Sequence, residues 1–323
     1  MIALIILALL ALKSGAVQVS FADLWSAFSN GADAQHKSVL FGIRLPRIIG
    51  AIAVGALLSI AGVLLQSLLR NPLADGGVVG TSAGAMLFSS LFIVLPSITT
   101  SFHFNASMQS IFAFAGAMLV SLIVMKMNSG RKKLSTSGIV LTGIAIGAWA
   151  SAITGILIFV STESQLRSLM FWTLGSLSGL NYQIIVLLCC ALLVVFFGAI
   201  RCAHAMNQLA LGDDEAELLG VNVKRSKMFI VILAALAIGV AVTFTGLIGF
   251  VGLVMPHVAR MVVGFDHKKV IVVSALFGGF LLLLADTISR TIVIPSELPI
   301  GILTGLIGVP FFLRLILKHR STI

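Results

Sequence analysis

The sequence predicts an all-α, polytopic membrane protein with about ten transmembrane helices. Three observations predict it. Of 323 residues, 59% are apolar and only 10% are charged, against about 25% charged in an ordinary soluble domain. Apolar runs of roughly twenty residues recur along the chain, the length an α-helix needs to cross a hydrocarbon core, whereas barrel strands need only about half as many. The net charge of +10 falls largely between these runs. Basic residues that hold loops on the cytoplasmic side account for it without a nucleic-acid partner.

Taken in order, Met1 to about Leu12 reads as a short first span, and FADLWSAF (Phe21–Phe28) as an interfacial helix with Trp25 at headgroup level. FGIRLPR follows, with Arg44 and Arg47 around Pro46, immediately before a second span over about Ile48–Leu69. Arginines there can snorkel to the interface. The span ends in LLRNPLADGG, where Asn71-Pro72 breaks the helix, because proline disfavours α geometry in the residue before it. Gly80-Thr-Ser82-Ala-Gly84 has the spacing of a nucleophile elbow. That motif needs a preceding strand and histidine and acid partners, so small residues four apart are read as a helix-packing face. The same spacing recurs at Gly143/Gly147 and Gly301/Gly305.

Further spans are expected over about Val78–Leu95, Gln109–Met127, Gly138–Val160 and Tyr182–Ile200. MNSGRKKLSTSG, between the fourth and fifth, carries three adjacent basic residues and marks a cytoplasmic loop. STESQLRSLMFWTLGSLSG follows the fifth, on the outer side. Three cysteines in or beside one span, with no CxxC pair, point to neither a disulfide framework nor a metal site.

Leu211–Lys227, LGDDEAELLGVNVKRSK, is a polar island between spans. Four of the eleven acidic residues fall in it: Asp213, Asp214, Glu215 and Glu217. Acids in a first turn favour the positive end of a helix dipole, and Gly220 can stop the helix in a left-handed conformation. Lys224, Arg225 and Lys227 close the island beside the next span. A solvated loop needs no such amphipathic order, so the stretch reads as a docking element for a soluble partner.

Met228–Val263 is too long for one span and is expected to fold as two, turning near Thr243–Gly246. A lone His257 after Pro256 reads as structural. A ninth span over about Val270–Ala285 ends in ADTISR, where Asp286 and Arg290, four apart, can pair on a helix. ELPIG (Glu297–Gly301) opens the last span. With both termini in the cytoplasm, fifteen Lys and Arg fall inside and six outside, in keeping with the positive-inside rule. No GxxxxGK[ST] loop is present. Spans two to ten also lack the midplane acid that an ion-coupled secondary transporter uses, and no channel filter is visible. Energy has to come from a partner.

RLPR, NPLA, LGDDEAELLGV and GLIGFVGLVMPHVAR (Gly246–Arg260) together carry a resemblance. Nearly end to end, the chain resembles permeases of ABC importers for vitamin B12, haem and ferric siderophores. The resemblance implies a vitamin B12 permease-like fold, a single domain over residues 1–323 with a cytoplasmic coupling loop at 205–227, in a bacterial cytoplasmic (inner) membrane. It implies that Leu211, Gly212, Asp213, Asp214, Glu215, Ala216, Leu218, Leu219 and Gly220 couple to an ATPase. Arg44, Arg47 and Arg290 are implied to form an outward-facing basic patch that meets glutamates of a substrate-binding protein. Exposed pairs contribute only about 0.2 to 1 kcal/mol each, so single substitutions there are expected to be mild. Asn71, Leu73, Ser135 and Thr136 are implied to form the cytoplasmic gate, and FWTLGSL part of an external cavity. Gly76 and Gly77 depart from the family pattern, which usually has a proline after the position of Asp75.

The implied partners are a second permease copy in a homodimer, two ATP-binding cassette subunits that carry ATP and Mg, a binding protein and the lipid membrane. The chain itself is expected to bind no cofactor, to catalyse no reaction and to bind no nucleic acid. The implied substrate is an iron chelate, haem marginally ahead of a ferric siderophore, because LRSLMFWTLGSL is similar to haem and cobalamin members. Cobalamin is the alternative, and an ion-coupled carrier a more distant one.

Overall fold

A computed structural model describes residues 1–15, 34–99, 106–128, 136–294 and 296–320. Phe21–Phe28, the basic run at 131–133 and Ser135 lie outside them. The described residues form α1 (Ile2–Lys13), α2 (Leu45–Leu69), α3 (Thr81–Thr99), α4 (Ala106–Asn128), α5 (Thr136–Val160) and α6 (Glu163–Leu174). After these come α7 (Tyr182–Leu209), α8 (Asp213–Leu218), α9 (Val223–Thr245), α10 (Val251–Val263), α11 (His267–Ile292) and α12 (Ile300–Arg320). A π-helical stretch, Ser38–Arg44, runs straight into α2, and no strand occurs among the described residues. Six segments there are long and apolar enough to cross a membrane: Ser38–Leu69, Met108–Asn128, Thr136–Val160, Tyr182–Leu209, Val223–Thr245 and His267–Ile292. Four shorter apolar helices, Ile2–Lys13, Thr81–Leu95, Val251–Val263 and Ile300–Pro310, complete the ten expected segments.

Helix α2 is the axis. It is buried along nearly its whole length and packs on α11, α9, α7 and α10. Small residues permit this: a Cβ at Gly55 would lie 2.2 Å from the Gly278 carbonyl oxygen of α11, and one at Gly62 would lie 1.8 Å from that of Gly252 in α10. Of the small-residue repeats in the sequence, Gly84, Gly143 and Gly301 are likewise in tight backbone contact, whereas Gly147 and Gly305 have ordinary room.

The long apolar stretch breaks later than the expected turn. Helix α9 runs to Thr245, and the interruption spans Gly246 to Phe250, both at φ +68°. Its backbone is not left unsatisfied. Leu247 N–H donates to Trp172 O at 3.1 Å, and Thr245 O accepts from Ser176 N–H at 2.8 Å. Both partners follow from α6, which the sequence reading treated as an outer segment without assigning a helix. Thr162 and Gln165 form a reciprocal capping box at its start.

The end of the bundle holding the start of α2 is closed by buried charge. Arg47 Nε donates to Asp286 Oδ1 and its Nη1 to Glu297 Oε1, both at 2.7 Å. Arg290 Nε lies 3.2 Å from Asp286 Oδ2, the pair expected from their spacing. Helix α1 ends here with carbonyls that have no partner within the helix. Arg44 donates to Leu12 O at 2.5 Å and Lys13 O at 3.0 Å, and Arg290 to Ala11 O at 3.0 Å. Arg44, Arg47 and Arg290 are therefore brought together at one end of the bundle, but buried rather than exposed. They are 4%, 5% and 7% exposed. The reason is physical: planar guanidinium donors satisfy the helix terminus and the acids, and the fold closes over them.

This burial changes the expected cost of substitution. Arg47→Ala leaves Asp286, which is wholly buried, without its closest cation, and is expected to destabilise by about 3 to 5 kcal/mol. Glu297→Ala removes a partner whose side chain is 40% exposed, and is expected to cost at most about 1 kcal/mol. Thermal unfolding of the two variants in detergent checks the ranking.

Candidate functional site

The opposite end of the bundle carries α8, a helix within the polar stretch that the sequence marks as a docking element. Asp213, Asp214 and Glu215 occupy its first turn, where they meet the positive end of the helix dipole. Gly220, at φ +86°, stops it. Val221 N–H then donates to Ala216 O at 2.9 Å and Gly220 N–H to Glu217 O at 3.0 Å, the double bond pattern of a glycine C-terminus.

The helix has two distinct faces. Ala216 is wholly buried, and α8 rests on α7 and α9. Ala216, named with the coupling residues, thus anchors the helix to its own chain, as does the buried Gly212. The other face presents Leu218, 89% exposed, and Leu219, 55% exposed, with Leu211 alongside. Asp214, Glu215 and Glu217 are exposed as well. Large apolar side chains exposed among acids are what a docking surface displays.

Asp213 differs from the other acids. Its Oδ1 accepts from Arg70 Nη2, and its Oδ2 from Lys227 Nζ at 2.5 Å. Lys227 is 1% exposed, and its ammonium also donates to Thr136 Oγ1 at 3.0 Å. The sequence reading missed both cations. A signal was available: Lys227 is one turn after Val223 and one turn before Ile230 and Val231, all buried on one face of α9.

The expected gate residues stand at this same end. Arg70 caps α2 in a left-handed conformation, φ 47° and ψ 36°. Asn71 follows, and its side-chain oxygen accepts from Leu73 N–H at 2.9 Å. Leu73 is exposed. Where the family pattern has a proline, Asp75 Oδ1 accepts from Gly77 N–H at 2.9 Å and Val78 N–H at 3.2 Å; this side-chain turn replaces the ring constraint. Thr136 opens α5 and is tied to Lys227. Ser135 is outside the described residues.

A cavity of about 810 Å³ opens beside Asn71, lined by Gln66, Arg70, His257 and Arg260 among others. Arg260 donates to Gln66, whose amide donates to Gly252 O at 3.2 Å and Leu253 O at 3.1 Å. Nearby, Asn207 donates to Asp266 Oδ1 at 3.0 Å and accepts from His267 N–H at 3.0 Å, fixing the end of α7 to the start of α11. The Asn207 hydrogen bond, with the Lys268 backbone and the Lys269 charge, holds the Asp266 carboxyl below the usual carboxylate range.

Comparison with known proteins agrees with this architecture. The profile of the FecCD transport family matches residues 3–318. The chain is 41% identical over 323 residues to the hemin transport system permease protein HmuU of Yersinia pestis, covering 99% of this chain and 95% of that protein. It is 40% identical over 289 residues to the cobalamin import system permease protein BtuC of Halobacterium salinarum, covering 88% and 75%. Among solved structures it is similar to a metal-chelate type ABC transporter in an inward-facing conformation. There the TM-score is 0.88 at 29% identity, over 98% of this chain and 97% of that one. With ten apolar helices among the described residues and a family match over nearly its full length, the chain belongs to the FecCD transport family as the multi-pass permease of an ABC importer.

Proposed function

We propose that this permease imports a metal chelate, haem first, driven by ATPase subunits that dock on α8. One observation carries the mechanism: Leu218 and Leu219 stand exposed on a helix whose opposite face is anchored by Ala216. Such a helix can bury two side chains in a partner's groove, each contributing roughly 1.5 to 3 kcal/mol, while its base stays attached to the bundle. In this reading α8 and both termini face the cytoplasm of a bacterial inner membrane. A second permease copy completes the translocation path, and ATP and Mg remain on two cassette subunits.

Haem is favoured by the similarity to HmuU over nearly the entire length of both proteins. The cobalamin permeases that are also similar make cobalamin the second reading. A binding protein would deliver the substrate at the opposite end, over Arg44, Arg47 and Arg290. Their burial adds a requirement: an incoming glutamate has to share or displace present partners, with the half-exposed Glu297 as its direct competitor on Arg47. Docking of this kind weakens as salt rises.

Proteoliposomes holding the permease, its ATPase and a loaded binding protein test the substrate: ATP-dependent uptake of haem is expected, with ferric siderophore and cobalamin as comparators. Preferential uptake of cobalamin would replace haem as the substrate. Purified permease alone is expected to neither hydrolyse ATP nor accumulate substrate. Uptake by the isolated chain under a proton or sodium gradient would overturn the ATP-driven reading. Within the complex, Leu218→Ser with Leu219→Ser is expected to release the ATPase, or to leave hydrolysis running without uptake, while the membrane fold survives. Wild-type copurification, hydrolysis and uptake in that variant would remove α8 as the docking element.

A further inference from the structure

We propose that Asp213 is a positioning residue that transmits displacement of α8 to two gate segments at once, through Arg70 to the 71–74 turn and through Lys227 to Thr136. The inference rests on α8 being the element that an ATPase moves, and adds how that motion reaches the path.

The geometry is a fork. One carboxylate oxygen meets Arg70, which immediately precedes Asn71; the other meets Lys227, whose ammonium continues to Thr136 Oγ1 at 3.0 Å. A single side chain at the first residue of α8 thereby reaches the ends of α2 and α5, which are 66 residues apart at Arg70 and Thr136. Asp214, Glu215 and Glu217 are exposed while Asp213 is half-buried against Arg70 and Lys227, so one six-residue helix carries both an exposed face and an inward-bonded group.

Two costs accompany this arrangement. Arg70 holds a left-handed backbone, φ 47°, at a helix terminus where glycine is the unstrained residue. A side chain kept there against local preference is there for what it touches, and Arg70 touches Asp213. Lys227 is buried to 1% exposure, on a face otherwise apolar, and a buried ammonium persists only when hydrogen-bonded to an anion. An apolar residue would anchor α9 without that requirement. A directional bond, unlike apolar contact, specifies which way the neighbouring segment moves when α8 does.

A static brace makes the opposite prediction, and the complete complex in proteoliposomes separates the two. Gate opening is read by maleimide labelling of Leu73→Cys, in a background where Cys189, Cys190 and Cys202 are replaced, with and without ATP. Asp213→Asn is expected to keep the ATPase bound and hydrolysing while uptake per ATP falls about tenfold or more, within the usual span of coupling between sites. The ATP-dependent change in labelling at Leu73→Cys is lost. Arg70→Gly is the second variant, because it relieves the left-handed strain and so preserves folding while cutting one arm. It too is expected to lose the labelling response. Wild-type labelling and uptake per ATP in Arg70→Gly and Asp213→Asn would show a brace only. Release of the ATPase by Asp213→Asn would make Asp213 part of the docking face and overturn the relay. Retention of a fully coupled ATPase by the double-leucine variant would instead overturn the docking reading beneath it.

Discussion

Where α2 crosses α10 and α11, carbonyl oxygens of Gly252 and Gly278 stand so near Gly62 and Gly55 that no side chain fits between. In lipid there is no hydrophobic drive to press helices together, so association depends on close van der Waals contact and hydrogen bonds between them. Backbone-to-backbone packing around α2 is how this chain obtains that contact. It also makes α2 a rod surrounded by protein, and anything that reorients α10 or α11 must act against it. The interruption at Gly246–Phe250 is tolerated for the same reason. Its freed polar groups bond to Trp172 and Ser176 rather than facing lipid.

Charge is placed at the two ends of this rod in different ways. At Arg47, the acid opposite is wholly buried and a second cation shares it. Removing either partner there strands a charge in protein. At Arg70, both members of the pair keep partial access to water, and their separation is cheap by comparison. One end is thus closed around a buried acid, while the other joins a water-accessible pair, Arg70–Asp213, to a buried cation, Lys227, on the same carboxylate.

Most of the fold was legible because hydropathy alone marks spans, and each of the ten apolar segments overlaps its expected run, although Ser38–Leu69, Tyr182–Leu209 and His267–Ile292 extend well past the expected bounds. Helix α6 escaped because Glu163, Gln165 and Arg167 look like loop composition, although Thr162-x-x-Gln165 was the capping signature of a helix start. The arginines were harder. A charge beside a span reads as solvated, and nothing local indicates that Asp286 and Glu297, 239 and 250 residues away, will enclose Arg47. Long-range pairing is the information that a linear reading lacks. The same gap hid the partners of Asp213: the sequence places it with the other acids of α8, and nothing local shows that Arg70 and Lys227 will meet its two oxygens.

Transmission from α8 raises a choice between apolar packing and ion pairs, and the energetics favour the latter at this position. An apolar contact is non-directional: a leucine in place of Lys227 would hold no particular atom of Thr136. A charge-assisted hydrogen bond holds one partner at one distance, and a fork of two holds two segments in a fixed relation to one carboxylate. Switching elements work between discrete arrangements, not by continuous deformation. A buried lysine that must keep an anion within reach supplies that discreteness, because any position of α8 that parts Asp213 from Lys227 is costly until another anion or water takes its place. The requirement that makes Lys227 expensive to bury is therefore also what lets a six-residue helix govern the ends of α2 and α5 together.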